Sequence, residues 1–302
     1  MGLKREIIKA FLCWIPNKEK RRFLRKKYEL KWGCLDIEPQ AVYFDSVWHK
    51  HQGLLENADE IDTLFLGDSH AQFGLVPFVL PAGRFGYNYA FNANSLYETF
   101  ESLRFAASKC KNLKTVVLLC SFYNGGFSLI KGGDAWHCRI LEKKIGMNFD
   151  FSLNPSFDFA FYDEIIDRLS PRSGWIYCQG FDFVGQHISP STQKTRERVE
   201  HHFKIYRKYK NQLSLLDDII SFCERSGLKL ILANAPVRSD YQTVLDGLAQ
   251  GEDVLSDIRR IVSKHGLTLI EPTGFSDDEF ADPDHLNFNG ALKLTRLLTR
   301  EI

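Results

Sequence analysis

An α/β fold with a mostly parallel sheet is predicted by short apolar segments that alternate with longer amphipathic ones. The apolar runs at 63–66, 115–120, 228–233 and 267–270 are typical of buried strands. Helices are predicted at 95–108, at 195–225 and from Asn289 onward. Because strands separated by helices need crossover connections, this pattern predicts a sheet that carries helices on both faces.

The composition indicates a globular chain with a sizeable core. The chain has 302 residues, of which 44% are hydrophobic. Its formal net charge is +1, so the chain as a whole has no electrostatic basis for binding nucleic acid. Its 7 cysteines are scattered and show no metal-ligand spacing, which favours a reducing compartment.

Residues 1–58 are predicted to form a basic amphipathic extension ahead of the main domain at 59–302. Ile8, Phe11 and Ile15 recur at helical spacing, and a dense run of lysines and arginines follows Pro16. Two interpretations remain open. The segment is either a helix packed on the main domain with a solvated charged face, or a peripheral contact with an anionic membrane surface.

Neither a secretory signal nor a membrane-spanning segment is predicted. Lys9 interrupts the first apolar run, and no small-residue cleavage site follows it. No later run approaches the roughly 20 apolar residues that a spanning helix needs. We therefore expect a soluble cytoplasmic protein, with the inner membrane face as the place of any peripheral contact.

Residues 125–190 interrupt the alternation of strands and helices. The segment is rich in Phe, Trp, Tyr and Gly and lacks a clean period. It is interpreted as an irregular insertion with its own small core, or as a lid or wall over the site, since long insertions in compact domains are often functional.

Ser69 is the candidate nucleophile. It follows the first predicted strand in the tripeptide Gly67-Asp68-Ser69, where the chain turns towards a helix. In an open parallel sheet, binding sites form beyond the carboxyl ends of the strands. The turn would expose the hydroxyl there, and the backbone N–H of Ser69 would face a developing oxyanion.

His285 and Asp282 are the candidate base and its orienting group. A serine hydroxyl needs an adjacent base held in the correct tautomer by a third group. Asp282 precedes His285 by three residues, so one turn of backbone can bring its carboxylate to Nδ1 and leave Nε2 for Ser69. Asp284 is a rival orienter, but as the immediate neighbour of His285 it is expected to point elsewhere.

The two motifs together resemble the SGNH hydrolase superfamily, also called GDSL-like hydrolases. Gly-Asp-Ser follows the first strand and Asp-x-x-His stands just before the last helix, so the resemblance covers roughly residues 60–302. It implies a three-layer flavodoxin-like fold and an acyl-serine intermediate. It also implies activity on ester-linked acyl groups of lipids or carbohydrates.

The resemblance further implies an oxyanion hole made by Ser69, Ala93 and Asn124. Such proteins place a glycine after the second strand, where this chain has Ala93, and an alanine still donates a backbone N–H. They place an asparagine after the third strand, and Asn124 lies about one residue from that alignment.

Two further residues are candidates for substrate binding. His70 directly follows the nucleophile, and Arg238 lies just past the carboxyl end of a late strand. The remaining histidines, His137, His187, His201 and His202, show no metal-ligand pattern and are expected to be solvated. No metal and no cofactor is predicted.

The sequence thus predicts a serine esterase or O-acyltransferase that acts on an ester of a glycan or small molecule, acetyl esters above all. Residues 13–28 also resemble the start of bacterial glycosyltransferases for surface polysaccharides, which favours a role in polysaccharide modification. The alternatives are a catalytically degenerate member that binds a glycan or partner protein, and a chance coincidence of motifs in an unrelated fold. The enzyme requires Ser69 Oγ to lie roughly 2.6 to 3.2 Å from His285 Nε2.

Overall fold

A five-stranded parallel sheet lies at the centre of the structure. This computed structural model describes residues 2–12, 15–16, 18–31, 35–124, 128–173, 177–182, 195–209 and 213–302. The strands, in chain order, are β1 (Thr63–Leu66), β2 (Gly86–Asn88), β3 (Thr115–Cys120), β4 (Tyr177–Cys178), β5 (Phe181–Asp182), β6 (Lys229–Asn234) and β7 (Leu269–Ile270). The central sheet has the order β2-β1-β3-β6-β7 with every pair parallel, whereas β4 and β5 form a separate antiparallel pair.

The described ranges contain twelve α-helices. The first six are α1 (Gly2–Leu12), α2 (Lys18–Lys31), α3 (Glu38–Glu56), α4 (Ser69–Gly74), α5 (Leu96–Lys109) and α6 (Trp136–Ile140). The others are α7 (Phe159–Asp167), α8 (Thr195–Tyr209), α9 (Ser214–Arg225), α10 (Ser239–Ala249), α11 (Ser256–Lys264) and α12 (Phe288–Leu298).

Helices cover both faces of the sheet. Successive residues of a strand point to opposite faces, so each strand contributes to two cores. On β1, Leu64 and Leu66 join the larger apolar core, to which α3, α5, α9 and α11 also contribute. Phe65 points the other way and packs with residues of α4 and α12. The predicted α/β fold with a parallel sheet is therefore confirmed, and its layers are helix, sheet and helix.

The strand order creates a crevice where the site lies. The chain leaves β1 for β2 on one side and then returns to β3 on the other side of β1. Flavodoxin-like sheets have this order, and their ligands bind beyond the carboxyl ends of the strands at the point of reversal. The turns after β1 and β3 therefore face the same crevice.

Several predicted elements differ in extent from the observed ones, and the difference is only one residue at each end of β6 and at the start of α12. The helix predicted at 195–225 is two helices, α8 and α9, with residues 210–212 outside the described ranges. The last strand is Leu269–Ile270 rather than 267–270. Helix α5 begins at Leu96, because Ser95 and Glu98 form a capping box at its amino end.

Helix α3 lies in the main core although it falls within the predicted extension. Phe44, Val47 and Leu54 are buried with the sheet residues in the larger core. Helices α1 and α2 pack on each other through a small separate cluster that includes Ile8 and Leu12. The part of the extension that is separate from the main core thus ends before Glu38.

The described part of the insertion at 125–190 packs partly in the main core and partly in a smaller cluster. Leu129, Ile140 and Met147 are buried in the same cluster as the sheet. Phe161 and Ile165 are buried in a separate cluster with Leu30 of α2. Both interpretations of the insertion, a small core of its own and a lid or wall over the site, stay predictions. Residues 125–127, 174–176 and 183–190 lie outside the described ranges.

Within the described ranges, none of the helices has both the length and the apolar character that crossing a bilayer requires.

Candidate active site

Ser69 is placed by a turn that only glycine permits. Gly67 has a φ of +142°, and a Cβ there would lie 2.6 Å from the carbonyl oxygen of Leu119 and 2.8 Å from Cβ of Ala71. The turn makes Ser69 the first residue of α4, with Asp68 as the N-cap that accepts a 2.9 Å hydrogen bond from the backbone N–H of His70. The serine is partly exposed at the carboxyl edge of the sheet.

The loop before α12 presents His285 to this serine. Asp282 Oδ1 accepts hydrogen bonds from the backbone N–H of Asp284 at 3.0 Å and of His285 at 2.8 Å, which folds the loop into a tight turn. A bridge between Phe280 and Leu286 closes the base of the loop.

Ser69, His285 and Asp282 form a continuous hydrogen-bonded chain. Ser69 Oγ lies 2.8 Å from His285 Nε2, and His285 Nδ1 lies 2.8 Å from Asp282 Oδ2. Because Asp282 accepts the proton on Nδ1, Nε2 carries the lone pair and accepts from the hydroxyl. Burial alone raises the pKa of Asp282, but the hydrogen bond and charge of His285 together with the backbone N–H of Asp284 outweigh burial and lower that pKa, so the carboxylate is ionised at neutral pH.

A second imidazole, His70, lies beside the first. The His70 ring stacks on His285 with ring centres 4.9 Å apart and planes at 24°. Its Nδ1 lies 3.1 Å from Asp68 Oδ1, and its Nε2 lies 3.1 Å from Asp284 Oδ2. Asp284 thus points mainly to His70, although its other oxygen lies 3.8 Å from His285 Nδ1.

The two carboxylates keep His70 charged. Burial alone lowers the pKa of His70, but the negative charges of Asp68 and Asp284 outweigh it and raise that pKa to about 10. Burial alone raises the pKa of Asp68, and the charge of His70 with the hydrogen bonds of His70 and Asn124 lowers it to about 2. Both ring nitrogens of His70 are hydrogen-bonded to these carboxylates, and a contact of His70 with substrate stays a prediction.

Residues that the sequence did not single out complete this charged cluster. Arg198 on α8 forms an ion pair with Asp284, and a guanidinium nitrogen lies 3.5 Å from His285 Nδ1. Ser121, after β3, lies 2.9 Å from His70 Nδ1. Arg198 and Ser121 lie far from both motifs in sequence, and no spacing rule links them to Ser69.

His202 is buried, which corrects the expectation of a solvated side chain. Its ring stacks on Tyr123 with centres 4.0 Å apart, and its Nδ1 lies 2.7 Å from the hydroxyl of Tyr241. Burial lowers its pKa to about 3, so this imidazole is neutral at physiological pH. A sequence signal existed, because His202 lies three residues after Val199 and four before Tyr206 on the buried face of α8.

His137 is also partly buried, and burial lowers its pKa to about 3. His201 is exposed as expected, and His187 lies outside the described residues.

The three oxyanion candidates lie on turns at the carboxyl edge of the sheet. Ala93 is exposed and has a φ of +64°, in the left-handed region that favours glycine. Asn124 is buried and donates a 2.7 Å hydrogen bond from Nδ2 to Asp68 Oδ2. An amide nitrogen carries two hydrogens, so this bond leaves one hydrogen for a substrate oxygen.

Arg238 is engaged by a carboxylate of its own helix. Its Nε lies 2.7 Å from Asp240 Oδ1, and a terminal nitrogen lies 2.8 Å from Asp240 Oδ2. Its backbone N–H donates to the carbonyl of Pro283 in the loop before α12. Arg238 therefore contacts the loop before α12 through its backbone. Its predicted contact with substrate stays a prediction.

A cavity of about 420 Å³ opens beside the charged cluster, at the carboxyl ends of β3, β6 and β7. His70 and Ser121 belong to its lining, whereas Ser69 and His285 do not. Four carboxylates and one guanidinium line it, namely Asp246, Glu252, Asp253, Glu271 and Arg259. Its aromatic wall consists of Phe122, Tyr123, Tyr241 and Phe275.

One group of side chains in the described ranges has the spacing of a metal site. Ligand atoms of His70, Asp284 and His285 lie within 4.8 Å of one another. All four ring nitrogens of the two histidines are already engaged within the site, those of His70 by Asp68 and Asp284 and those of His285 by Asp282 and Ser69.

No protein-family model matches the chain, and no curated protein matches it.

Proposed function

We propose that the chain is a serine esterase or O-acyltransferase that forms an acyl intermediate on Ser69. The observation that carries this proposal is the chain of two 2.8 Å contacts from Asp282 through His285 to the Ser69 hydroxyl. Activation of a serine requires a base within hydrogen-bonding reach and an orienting group behind it, and both are present.

Each residue of the chain has a role in the proposed reaction. Ser69 Oγ attacks the ester carbonyl carbon while its proton passes to His285 Nε2. The tetrahedral intermediate then loses the alcohol, whose oxygen receives that proton from His285. Water or an acceptor hydroxyl attacks the acyl-serine in the same way and restores the Ser69 hydroxyl.

The negative oxygen of the intermediate needs hydrogen-bond donors at the same edge of the sheet. The backbone N–H groups of Ser69 and Ala93 and the second amide hydrogen of Asn124 are the proposed donors. Loss of one such donor typically costs on the order of a hundredfold in rate.

We assign the chain to the SGNH hydrolase superfamily as part of this proposal. Three observations support the assignment: the strand order, the Gly-Asp-Ser turn after β1 and the Asp-x-x-His turn before α12. The left-handed backbone of Ala93 is a fourth, because that position carries a glycine in the family.

The neighbouring cavity favours a carbohydrate ester as the substrate. Carboxylates accept hydrogen bonds from sugar hydroxyls, and aromatic rings pack against the apolar face of a sugar. Because four carboxylates line the cavity against two basic side chains, His70 and Arg259, a neutral or amine-bearing sugar suits it better than an acidic one. Acetyl esters of surface polysaccharide precursors meet this description.

The proposed place of action is the cytoplasm, next to the inner face of the membrane. Cys110, Cys120, Cys138, Cys178 and Cys223 all have free thiols, as expected in a reducing compartment. Helix α1 exposes Leu3 and Ile7, and α2 exposes Lys26 and Lys31. An exposed apolar pair near a basic helix suits an anionic lipid surface.

Labelling by a fluorophosphonate probe tests the proposed chemistry. We expect the wild type to be labelled, Ser69→Ala to give no label, and His285→Ala to be labelled at least about a hundredfold more slowly. Ser128→Ala is the matched control, because Ser128 is a buried serine outside the proposed site. Absence of label on folded wild-type protein would remove the serine-hydrolase proposal.

A degenerate glycan-binding protein is the second candidate. It is favoured by one observation, that the cavity lining omits Ser69 and His285. Such a protein would bind sugars without being labelled, whereas an enzyme would also release acetate from acetylated sugars.

A further inference from the structure

The observation behind this inference is the position of His70 between two carboxylates that belong to different parts of the fold. Asp68 caps α4 beside the nucleophile, and Asp284 lies in the loop that carries His285. His70 is 6% exposed and bridges them, at 3.1 Å on each side. It therefore joins the serine side of the site to the histidine side.

The bridge also places a fixed positive charge against the candidate base. The His70 and His285 rings are stacked at 4.9 Å. A cation at this distance opposes the protonation of His285, whereas the carboxylates of Asp282 and Asp284, at 2.8 and 3.8 Å from Nδ1, favour it.

Titratable and charged side chains from several elements surround the His70 and His285 rings. The titratable and charged side chains there are Asp68, Cys120 and Tyr123 at the ends of β1 and β3, Asp282 and Asp284 in the loop, Arg198 and His202 on α8, and Tyr241 on α10. Burial raises the pKa of Cys120 to about 12, so that thiol is neutral. The charged neighbours of the rings are thus three carboxylates and Arg198.

We propose that His70 is a positioning residue that fastens the His285 loop to the nucleophile turn and sets a positive charge against the His285 ring. This proposal rests on the proposed function. A neutral His285 is the form that can accept the Ser69 proton, so the cation keeps the base ready at lower pH.

The pH dependence of labelling separates this role from simple support of the fold. The acid limb of the labelling rate reports the pKa of His285. In His70→Gln, removal of the positive charge should move that limb to a pH about one unit higher. At pH values below the limb, labelling of this variant should then be about tenfold slower than labelling of the wild type. His70→Lys keeps a positive charge at this position, so its acid limb should lie close to that of the wild type.

His202→Gln is the matched control. His202 is also a buried histidine near Asp284, at 3.9 Å, but it is neutral, so the limb should stay in place. If His70→Gln does not fold, His70→Asn removes the same charge with a shorter side chain, and an unmoved limb in the folded variant overturns the proposal.

An NMR titration of the His285 ring protons makes the two failures distinguishable. It reads the same pKa without any activity, with His285→Gln to assign the signal. Unlabelled wild type with the expected His285 shifts contradicts the enzyme and leaves the His70 charge effect standing. Labelled protein whose His285 pKa is the same in wild type and His70→Gln overturns the effect and leaves the enzyme.

Discussion

At the scale of single residues, the shape of the site depends on two backbone positions, Gly67 and Ala93, that have positive φ angles. Gly67 has no room for a Cβ, since Leu119 and Ala71 lie under 3 Å from where it would be. Ala93 is held at positive φ with a Cβ present. A non-glycine residue in the left-handed region costs roughly 1 to 2 kcal/mol.

Replacement of Ala93 by glycine should therefore stabilise the protein. We expect Ala93→Gly to raise the free energy of unfolding by up to about 1 kcal/mol, because the relief of strain exceeds the added entropy of the unfolded chain. Its labelling rate should stay near the wild-type rate, since glycine donates the same backbone N–H. Urea unfolding measures the first effect, and a destabilised variant would contradict it.

The site residues that sequence reasoning found are those joined by short motifs. Ser69 follows a recognisable strand, and Asp282 and His285 are three residues apart, so local geometry was enough to pair them. The second carboxylate partner of His70 could not be found in this way, because Asp284 is 214 residues away from it. The sequence does not show that His70 is buried and charged, because this depends on three distant segments that meet in the fold, namely those of Asp68, Ser121 and Asp284.

At the scale of elements, the short helix α4 is held from below by one asparagine. Asn88, at the end of β2, donates to the carbonyl oxygens of Ala71 at 2.8 Å and Leu75 at 2.7 Å. Its Oδ1 accepts from the buried amine of Lys50, at 3.3 Å. Burial lowers the pKa of Lys50 to about 7, and the charge of Asp182 offsets part of that effect.

Loss of this asparagine should destabilise the fold. Asn88→Ala removes the side-chain donor to the buried carbonyls of Ala71 and Leu75 and one of the two hydrogen bonds of the buried Lys50 amine, which should cost about 3 kcal/mol in the free energy of unfolding. Asn92→Ala, at an exposed turn nearby, should change it by less than about 0.5 kcal/mol. Equal losses in the two variants would show that the contacts of Asn88 contribute little.

The sequence predicts the elements whose hydrophobic periodicity is strong. It does not predict very short elements or a break within a continuous helical pattern. The apolar runs of β1 and β3 and the helix after Ser95 follow directly from pattern and capping. Strand β2 has three residues, all of them buried, and such a run has no period to detect. The division between α8 and α9 falls within a continuous helical pattern, so its place depends on tertiary packing.

At the scale of the whole molecule, the N-terminal helices form a surface apart from the core. Ile8 and Leu12 of α1 pack towards α2, whereas Leu3 and Ile7 are 77% and 48% exposed. An ion pair of 2.7 Å between Lys27 and Asp158 joins α2 to the region of the insertion.

We expect the protein to sediment with vesicles that contain phosphatidylglycerol and to bind less well in high salt, because basic side chains contribute to the contact. Leu3→Glu combined with Ile7→Glu should reduce binding severalfold. Leu153→Glu is the matched control, since Leu153 is 41% exposed but lies in the insertion. Equal binding of all variants, or equal binding to neutral vesicles, would exclude this surface as the contact.

The hydrogen bond between Ser69 and His285 spans 216 residues of the chain. Contacts so distant in sequence form late in folding, because a long loop must close before they are rewarded. During refolding from denaturant, the helical signal should therefore return before the nucleophile meets its base. A partly folded chain would look native by circular dichroism and still be inert, so recovery of the site is the stricter measure of correct folding.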